Sequence, residues 1–323
     1  MRHAWTMAVA AAVLAGLISL SPAQQPGAPY PSKPIRLIAP EVPGSATDIL
    51  ARIIATRLGD ALGQPVTVSN NFGEAGLLEG IKAAPDGYTL LYGSAGTLAL
   101  LPHIKKVSFD SRRDLTPVAR FVISPTLIAV HPSLPINGVA DLVALLRSKP
   151  DQLKMATAGF GTAGHFSGAM FLAMAGVSAP IVHYPGGGPA IAAVVDNDAQ
   201  WTVAPIAGRL PHVRTGKLKA IATGGSSRLD VLPDVPTVAE SGIAGYQSVG
   251  WGGIFVPNGT PQPVIDKLNA TIVAALAGPQ VKDEFARQGT EVATGTPAEL
   301  AQLLREDYDR LGEVAKTIGI KAE

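Results

Sequence analysis

Short apolar runs alternate with helix-like segments along most of the chain. Residues 35–40 form a mostly apolar run that predicts a strand, and the apolar residues between Ile49 and Leu58 recur on one face of a helix. Strands that alternate with helices predict parallel sheets with right-handed crossovers, and therefore an α/β fold. Further strands are predicted at 65–68, 88–92, 121–130, 153–156, 181–184 and 218–222.

The order of these elements indicates two α/β lobes. Extended apolar segments near residues 122–128 and 246–254 are suited to cross between lobes as hinge strands. We place the first lobe at residues 30–124 plus 250–323 and the second at 125–249. A mature chain of roughly 300 residues also exceeds what one small core usually serves. Three helical segments, at 261–277, 279–288 and 297–317, are predicted to form a C-terminal cap.

Glycine-rich loops follow the predicted strands in both lobes. Ligands of open α/β sheets bind outside the carboxyl ends of the strands, and helix N-termini at that edge favour anions. We therefore predict an anion-favouring cleft between the lobes. The loops that would line it are residues 43–48, 73–76, 93–97, 158–162 and 185–188.

One of these loops contains the pattern G-x-G-x-x-G, formed by Gly159, Gly161 and Gly164. This pattern, between a strand and a helix, is typical of dinucleotide sites. Such a site also needs an acidic residue about twenty positions on, at the end of the next strand. No acid occurs there before Asp196. The missing acid disfavours NAD, and we predict no cofactor. Two interpretations of the glycine pattern remain: a site for a small anion, and a tight turn that binds no ligand.

The N-terminus has the organisation of a cleavable signal peptide. A short basic start precedes an apolar run from Met7 to Leu20, and small residues lead to a cleavage position after Ala23. The run is shorter than the ~20 residues that a membrane span needs. We predict that residues 1–23 are removed on export to the periplasm.

Composition excludes several other functions. The formal net charge is +1 without clusters of Lys or Arg, so nucleic acid is not a predicted partner. The chain has no cysteine, and its six histidines are scattered without a metal-ligand spacing, so no metal site is predicted. Neither a nucleophile elbow nor a P-loop occurs.

Three acidic residues lie in the first-lobe loops. Ser45 and Asp48 form an S-x-x-D capping box, which gives Asp48 a structural role. Glu41 and Glu74 lie in two neighbouring loops, where solvation at the surface is the default role of a carboxylate; beside an anion site they would repel anions and are able to pair with an ammonium group of a ligand.

Seven sequence segments resemble those of the extracytoplasmic solute receptors of tripartite tricarboxylate transporters, the Bug-type receptors. The resemblance extends over nearly the whole mature chain and implies a Venus-flytrap fold, type II-like, that binds small carboxylates. It also implies delivery of the ligand to one large and one small integral membrane subunit, by a receptor that we expect to be a monomer. The segments are YPSKPIR at 30–36, GQPV at 63–66, APDGYTL at 84–90, VHPSLP at 130–135, AGFGT at 158–162, LPDVPTVAESG at 232–242 and PNGTP at 257–261.

The resemblance also implies where the ligand is held. Two loops of the first lobe would bind one carboxylate through backbone N–H groups, and loops of the second lobe would receive its far end. The candidate ligand-binding residues are Glu41, Pro43, Gly44, Ser45, Ala46, Thr47, Asp48, Gly73, Glu74, Ala75, Ser94, Thr97, Ala158, Gly159, Gly161, Thr162, His165, Tyr184 and Gly186.

The loops at 41–48, 71–77 and 184–204 depart from the usual sequence of these receptors. We therefore predict a periplasmic, non-enzymatic receptor for a dicarboxylate, amino acid or aromatic acid. Glu41 and Glu74 favour a ligand that also carries an amino or hydroxyl group. The alternatives are an exported enzyme that uses the cleft for hydrolysis or redox chemistry, and a ligand sensor that works without a permease.

Overall fold

The computed structural model describes residues 30–317. The first half contains β1 (Ile35–Ala39), α1 (Ala46–Leu62), β2 (Val66–Asn70), α2 (Glu74–Ile81), β3 (Thr89–Ser94), a π-helix (Ala95–Leu100), α3 (Leu101–Ile104) and β4 (Leu115–Val130). The second half contains α4 (Val139–Ser148), β5 (Met155–Thr157), α5 (Ala163–Ala175), β6 (Ile181–His183), α6 (Gly187–Val195), β7 (Trp201–Pro205), a 3-10 turn (Ile206–Gly208), α7 (Leu210–Arg214), β8 (Lys219–Thr223), β9 (Val249–Pro257), α8 (Gln262–Leu276), α9 (Pro279–Arg287), β10 (Glu291–Val292) and α10 (Pro297–Thr317).

The strands form one continuous mixed sheet that divides into two lobes along β4. The first lobe has the order β2-β1-β3-β9-β4, in which β1 pairs in parallel with β2 and β3, whereas β9 is antiparallel to both β3 and β4. The second lobe has the order β4-β7-β5-β6, in which β5 is parallel to β6 and β7, and β4 is antiparallel to β7 and β8.

Strand β4 connects the lobes. Its first part pairs with β9 as far as Pro125, and its last residues, from Thr126 onward, pair with β7 and β8. The predicted hinge segment at 122–128 therefore lies within β4, and that at 246–254 overlaps the first part of β9. The prediction of parallel sheets is confirmed for β1 with β2 and β3 and for β5 with β6 and β7, but β4, β8 and β9 pair antiparallel with their neighbours. The residue boundaries of the two lobes remain a prediction.

Each lobe has its own aromatic core. In the first lobe, Phe121 on β4 makes edge-to-face contacts with Tyr92 and Phe285 at ring-centroid distances of 5.2 and 6.2 Å. In the second lobe, Phe171 on α5 does the same with Trp201 and Tyr246 at 5.8 and 6.2 Å. Such pairs contribute about 0.5–1.5 kcal/mol beyond the burial of their area. The strand ends that carry the loops are thereby held on rigid supports.

The pattern predicted most elements but not all. The three C-terminal helices and the strands of β1–β3, β5, β6 and β8 are confirmed within a few residues. Strand β7 and helix α4 escaped prediction, and residues 95–100 form a π-helix instead of a loop. The predicted signal peptide lies outside the described residues. Within residues 30–317, no helix has both the length and the apolar character that crossing a membrane requires.

Candidate functional site

A cavity of about 720 Å³ lies where the two lobes meet, at the carboxyl ends of the parallel strands. The first lobe contributes the loops after β1, β2 and β3, and the second lobe contributes the loops after β5 and β7. The crossing strands provide a further wall through Ser124 on β4 and Gly250 on β9. This is the edge of an α/β sheet where ligands bind.

Several helices begin at this cavity with satisfied N-caps. Ser45 Oγ accepts the N–H of Asp48 at 3.2 Å at the start of α1, and Ser94 Oγ accepts the N–H of Thr97 at 3.2 Å at the start of the π-helix. The N–H groups of the first helical turn have no intrahelical acceptor and, with the helix dipole, favour a negative group. The backbone positions at these starts that line the cavity are Ala46, Thr47, Ala95, Gly96, Ala163, Gly164 and Gly187.

The glycine pattern after β5 forms a turn onto α5. Gly159 and Gly161 have φ angles of 125° and 75°, which favour glycine. A Cβ at Gly164 would lie 2.6 Å from the carbonyl oxygen of Val203, so the third glycine allows α5 to pack against β7.

The donors of this loop are largely used within it. The N–H of Gly161 donates to Nδ1 of His165 at 3.1 Å, and Oγ1 of Thr162 donates to the carbonyl of Gly159 at 2.9 Å. Burial, together with the nearby His183, lowers the pKa of His165 to about 4, so the ring is neutral and supports the loop from behind. The first turn of α5 remains as the donor surface toward the cavity.

The two candidate glutamates have different surroundings. Glu74 Oε1 accepts hydrogen bonds from the backbone N–H and the hydroxyl of Ser108 at 3.1 and 3.2 Å, and Lys105 Nζ lies 4.0 Å from Glu74 Oε2. Glu41 instead has a buried Oε2 without a hydrogen-bond partner. Burial raises the pKa of Glu41 to about 7, against the lowering influence of the Val42 backbone and the Arg209 charge.

Arg209 is a charged residue of the site that the sequence did not reveal. It follows the 3-10 turn after β7, lines the cavity, and is only 2% exposed. Its Nη1 donates to the carbonyl of Pro205 at 3.4 Å, whereas Nε and Nη2 have no hydrogen-bond partner. Burial lowers the pKa of Arg209 to about 10, so the guanidinium remains charged at neutral pH.

The loop before Arg209 reaches the first lobe. A Cβ at Gly208 would lie 3.3 Å from the backbone nitrogen of Ala46, so the 3-10 turn packs directly on the N-terminus of α1. A Cβ at Gly186 would likewise lie 2.5 Å from a methyl group of Val42. The chain around Glu41 and the chain around Arg209 therefore meet across the boundary between the lobes.

The structure brings most of the predicted residues to the cavity and places the others outside its wall. Those on its wall are Glu41, Ser45, Ala46, Thr47, Gly73, Glu74, Ser94, Thr97, Ala158, Gly159, Gly161 and Thr162. Pro43, Gly44 and Ala75 are exposed, and Asp48 is buried, where its carboxylate accepts the N–H of Gly44 at 2.9 Å instead of that of Ser45, so only the Ser45 half of the predicted capping box is confirmed. Those outside the wall are Pro43, Gly44, Asp48, Ala75, His165, Tyr184 and Gly186.

Other parts of the wall come from segments that carried no site prediction. Trp251 on β9 donates its indole N–H to Asp307 on α10 at 2.7 Å, and Arg310 donates to the same carboxylate at 2.7 Å. These three residues line the end of the cavity next to α10. The predicted hinge segment at 246–254 contains Trp251 and was the only sequence feature that pointed to this part of the wall. Among the described residues, no group of three or more acidic or histidine side chains is arranged to hold a metal ion.

Two α/β lobes with a cavity lined by helix N-termini define a solute-binding protein of the Venus-flytrap class. Residues 50–320 match the tripartite tricarboxylate transporter family receptor, TctC, and the chain belongs to this family. The resemblance noted in the sequence is thereby confirmed.

Relatives support this assignment in sequence and structure. Protein BugT of Bordetella pertussis is 31% identical over 300 residues, which cover 90% of this chain and 91% of that protein. The structure of Rpa4515 of R. palustris with adipate has 30% identity and a TM-score of 0.88, covering 91% of this chain and 100% of that one. MatC (Rpa3494) of Rhodopseudomonas palustris with bound malate has 33% identity and a TM-score of 0.82, covering 88% of this chain and 99% of that one.

Proposed function

We propose that this protein is a periplasmic receptor that captures a small organic carboxylate for uptake by a tripartite transporter and performs no chemistry on it. The observation that carries the proposal is the set of helix N-termini that meets the buried, charged Arg209 at one cavity. The adipate and malate bound to the two structural neighbours support an acid as ligand. Export through a signal peptide at residues 1–23, a monomeric state and delivery to one large and one small membrane subunit are parts of the same proposal.

The magnitudes require several groups to act together. One helix N-terminus contributes about 0.3–1 kcal/mol to anion binding, and up to about 2 kcal/mol when it is partly buried. A hydrogen bond to a charged group adds about 1.5–3 kcal/mol. A micromolar dissociation constant corresponds to about 8 kcal/mol. Three partly buried helix starts together with the Arg209 guanidinium reach that value at the upper ends of these ranges, whereas any one of them alone does not.

Thermal unfolding of the mature chain, residues 24–323, against a panel of acids tests the proposal. The panel contains dicarboxylates, amino acids, aromatic acids and keto acids, with NAD as the control. A ligand that binds only the folded state adds about 2.7 kcal/mol of stability at a hundredfold excess over its dissociation constant. We expect a shift with one class of acid and none with NAD, and recovery of that acid unchanged after prolonged incubation. Conversion of the acid, or the lack of any shift across the panel, would refute the proposed function.

A further inference from the structure

The charged side chains on the cavity wall differ in how many of their polar atoms have a hydrogen-bond partner. Glu74 is bonded to Ser108, and Asp307 is bonded to Trp251 and Arg310. Among the charged residues of this wall that the structure describes, Glu41 and Arg209 alone have buried polar atoms without a hydrogen-bond partner. A buried polar group without a partner costs about 1–3 kcal/mol, and more when it is charged. These two residues are therefore the part of the wall that gains most from a ligand.

The two side chains carry opposite charges but do not satisfy one another. Glu41 Oε2, Arg209 Nε and Arg209 Nη2 are all unpartnered, although each residue shifts the pKa of the other through its charge. Glu41 belongs to the loop after β1 and Arg209 to the loop after β7, so each lobe contributes one of the two residues to the same cavity wall. A ligand group that enters there meets a hydrogen-bond acceptor on one side and a cationic donor on the other.

The charges of this pair select among ligand groups. A plain carboxylate that binds Arg209 meets the charge of Glu41, and a plain ammonium group that binds Glu41 meets the charge of Arg209. A ligand group that carries a positive and a negative charge close together satisfies both residues and adds no net charge to the pair. An α-amino acid headgroup has this arrangement.

We propose that Glu41 and Arg209 form a subsite for the zwitterionic headgroup of an α-amino acid, with the carboxylate on Arg209 and the ammonium on Glu41. The inference rests on the proposed function and narrows its ligand class. The first turn of α1, at Ala46 and Thr47, lies beside this pair and donates to the same carboxylate, because the loop of Arg209 packs on that helix start. The remaining cavity accommodates the side chain of the amino acid.

Matched acids test the subsite by calorimetry on the mature chain. The pairs are succinate and aspartate, glutarate and glutamate, and adipate and 2-aminoadipate, which differ within each pair only by the α-amino group. We expect at least one aminated acid to bind the wild type about tenfold or more tightly than its plain partner, as a charge-assisted hydrogen bond implies. Glu41→Gln removes this preference, and Arg209→Gln weakens both members of the pair.

Controls with the same chemical changes are available away from the cavity. Arg57 and Glu284 form an ion pair at 2.6 Å that does not line the cavity, so Glu284→Gln and Arg57→Gln should leave both affinities unchanged. Unfolding midpoints of all variants without ligand verify that they fold. If every plain diacid binds at least as tightly as its aminated partner, or if Glu41→Gln weakens both members of the preferred pair equally, the subsite is refuted and the carboxylate receptor stands. If no acid of any pair or of the wider panel binds, the proposed function itself fails.

Discussion

The segments after β1 and β2 are neighbours on the first-lobe wall, and each places one glutamate at the cavity, Glu41 in a loop and Glu74 at the start of α2, but they use it differently. The loop after β2 is fixed: Glu74 accepts two hydrogen bonds from Ser108, and Asn71 donates to Glu79 at 2.8 Å. The loop after β1 leaves Glu41 Oε2 buried and unpartnered next to the charge of Arg209. The same residue type is thus a structural anchor in one loop and an unsatisfied group, open to a ligand, in the other.

The difference begins in the backbone that supports each loop. A Cβ at Gly76, in the first turn of α2, would lie 1.9 Å from the carbonyl oxygen of Asn71 and 3.2 Å from the Cα of Pro40. Helix α2 is therefore pressed against both loops and holds them in register. The loop after β1 has in addition the capping contacts of Ser45 and Asp48, so Glu41 is unsatisfied within a well-supported loop.

Gly76→Ala should produce the largest loss of stability, because the added methyl group meets backbone atoms that have no alternative position. Overpacking usually costs about 1–3 kcal/mol and occasionally more, and we expect about 3 kcal/mol or more here. Chemical denaturation monitored by circular dichroism measures it. Gly278→Ala is the matched control, because a Cβ there meets nothing within 4 Å, and its cost should stay below about 0.5 kcal/mol. Equal stabilities of the two variants would contradict the close contact of α2 with the loops.

Glu41→Gln should change how stability depends on pH. Burial raises the pKa of Glu41 from 4.5 in the unfolded chain to about 7 in the folded one, so between these values the folded state binds the extra proton. The stabilising effect of the proton is complete below about pH 4.5 and is lost as the pH rises through about 7, which lowers the free energy of unfolding by about 1–3 kcal/mol. The variant lacks this titration and should be the more stable protein at pH 8.

Denaturant unfolding at pH 5, 6, 7 and 8 for the wild type and Glu41→Gln separates this effect from the rest of the titration curve. His165, whose pKa burial lowers from 6.5 in the unfolded chain to about 4, also contributes a pH dependence below about pH 6.5, but this contribution is common to both proteins and cancels in their difference. Parallel curves for the two proteins would show that Glu41 titrates at its ordinary value.

The difference between the two glutamates marks the limit of what the sequence reveals. Amphipathic segments such as α1 and α10, and the tight turn of Gly159, Gly161 and Gly164, are encoded by neighbouring residues and were predicted. Strand β7 is buried from Trp201 to Ala204 and so lacks the alternation that identifies a strand. The sequence therefore did not reveal where its C-terminal loop would place Arg209.

The residues that surround the two glutamates could not be predicted from the sequence, because they are distant from them along the chain. Ser108 is 34 positions from Glu74, and Arg209 comes from the other lobe. Whether a carboxylate is an anchor or a ligand group is decided by these distant residues. Both segments contribute to the cavity wall, but the sequence did not distinguish the surroundings of their two glutamates.

The subsite for a zwitterion makes ligand affinity depend on pH in a direction opposite to that of the stability. The ammonium group pairs with ionised Glu41, so the affinity for aspartate should fall as the pH drops below about 7, approaching tenfold per pH unit. Succinate should show no such fall, because it has no ammonium group. Calorimetric titrations at pH 6, 7 and 8 measure both, and Glu41→Gln should remove the dependence for aspartate. An affinity for aspartate that rises on acidification would mean that protonated Glu41 binds the acid.

Glu74→Gln should have the smallest effect and should act on stability alone. Its carboxylate is partly exposed, and its hydrogen bonds from Ser108 are near the surface, so solvent screening reduces their contribution to about 1 kcal/mol or less. The free energy of unfolding should decrease by no more than that amount, because the amide oxygen of the variant still accepts from Ser108. The titration of Glu41 near pH 7 should not shift. Ser108→Ala removes the same contacts from the other side, and the double variant should lose little more than either single one. A loss of the preference for aminated acids in Glu74→Gln would show instead that both loops contribute their glutamates to the ligand.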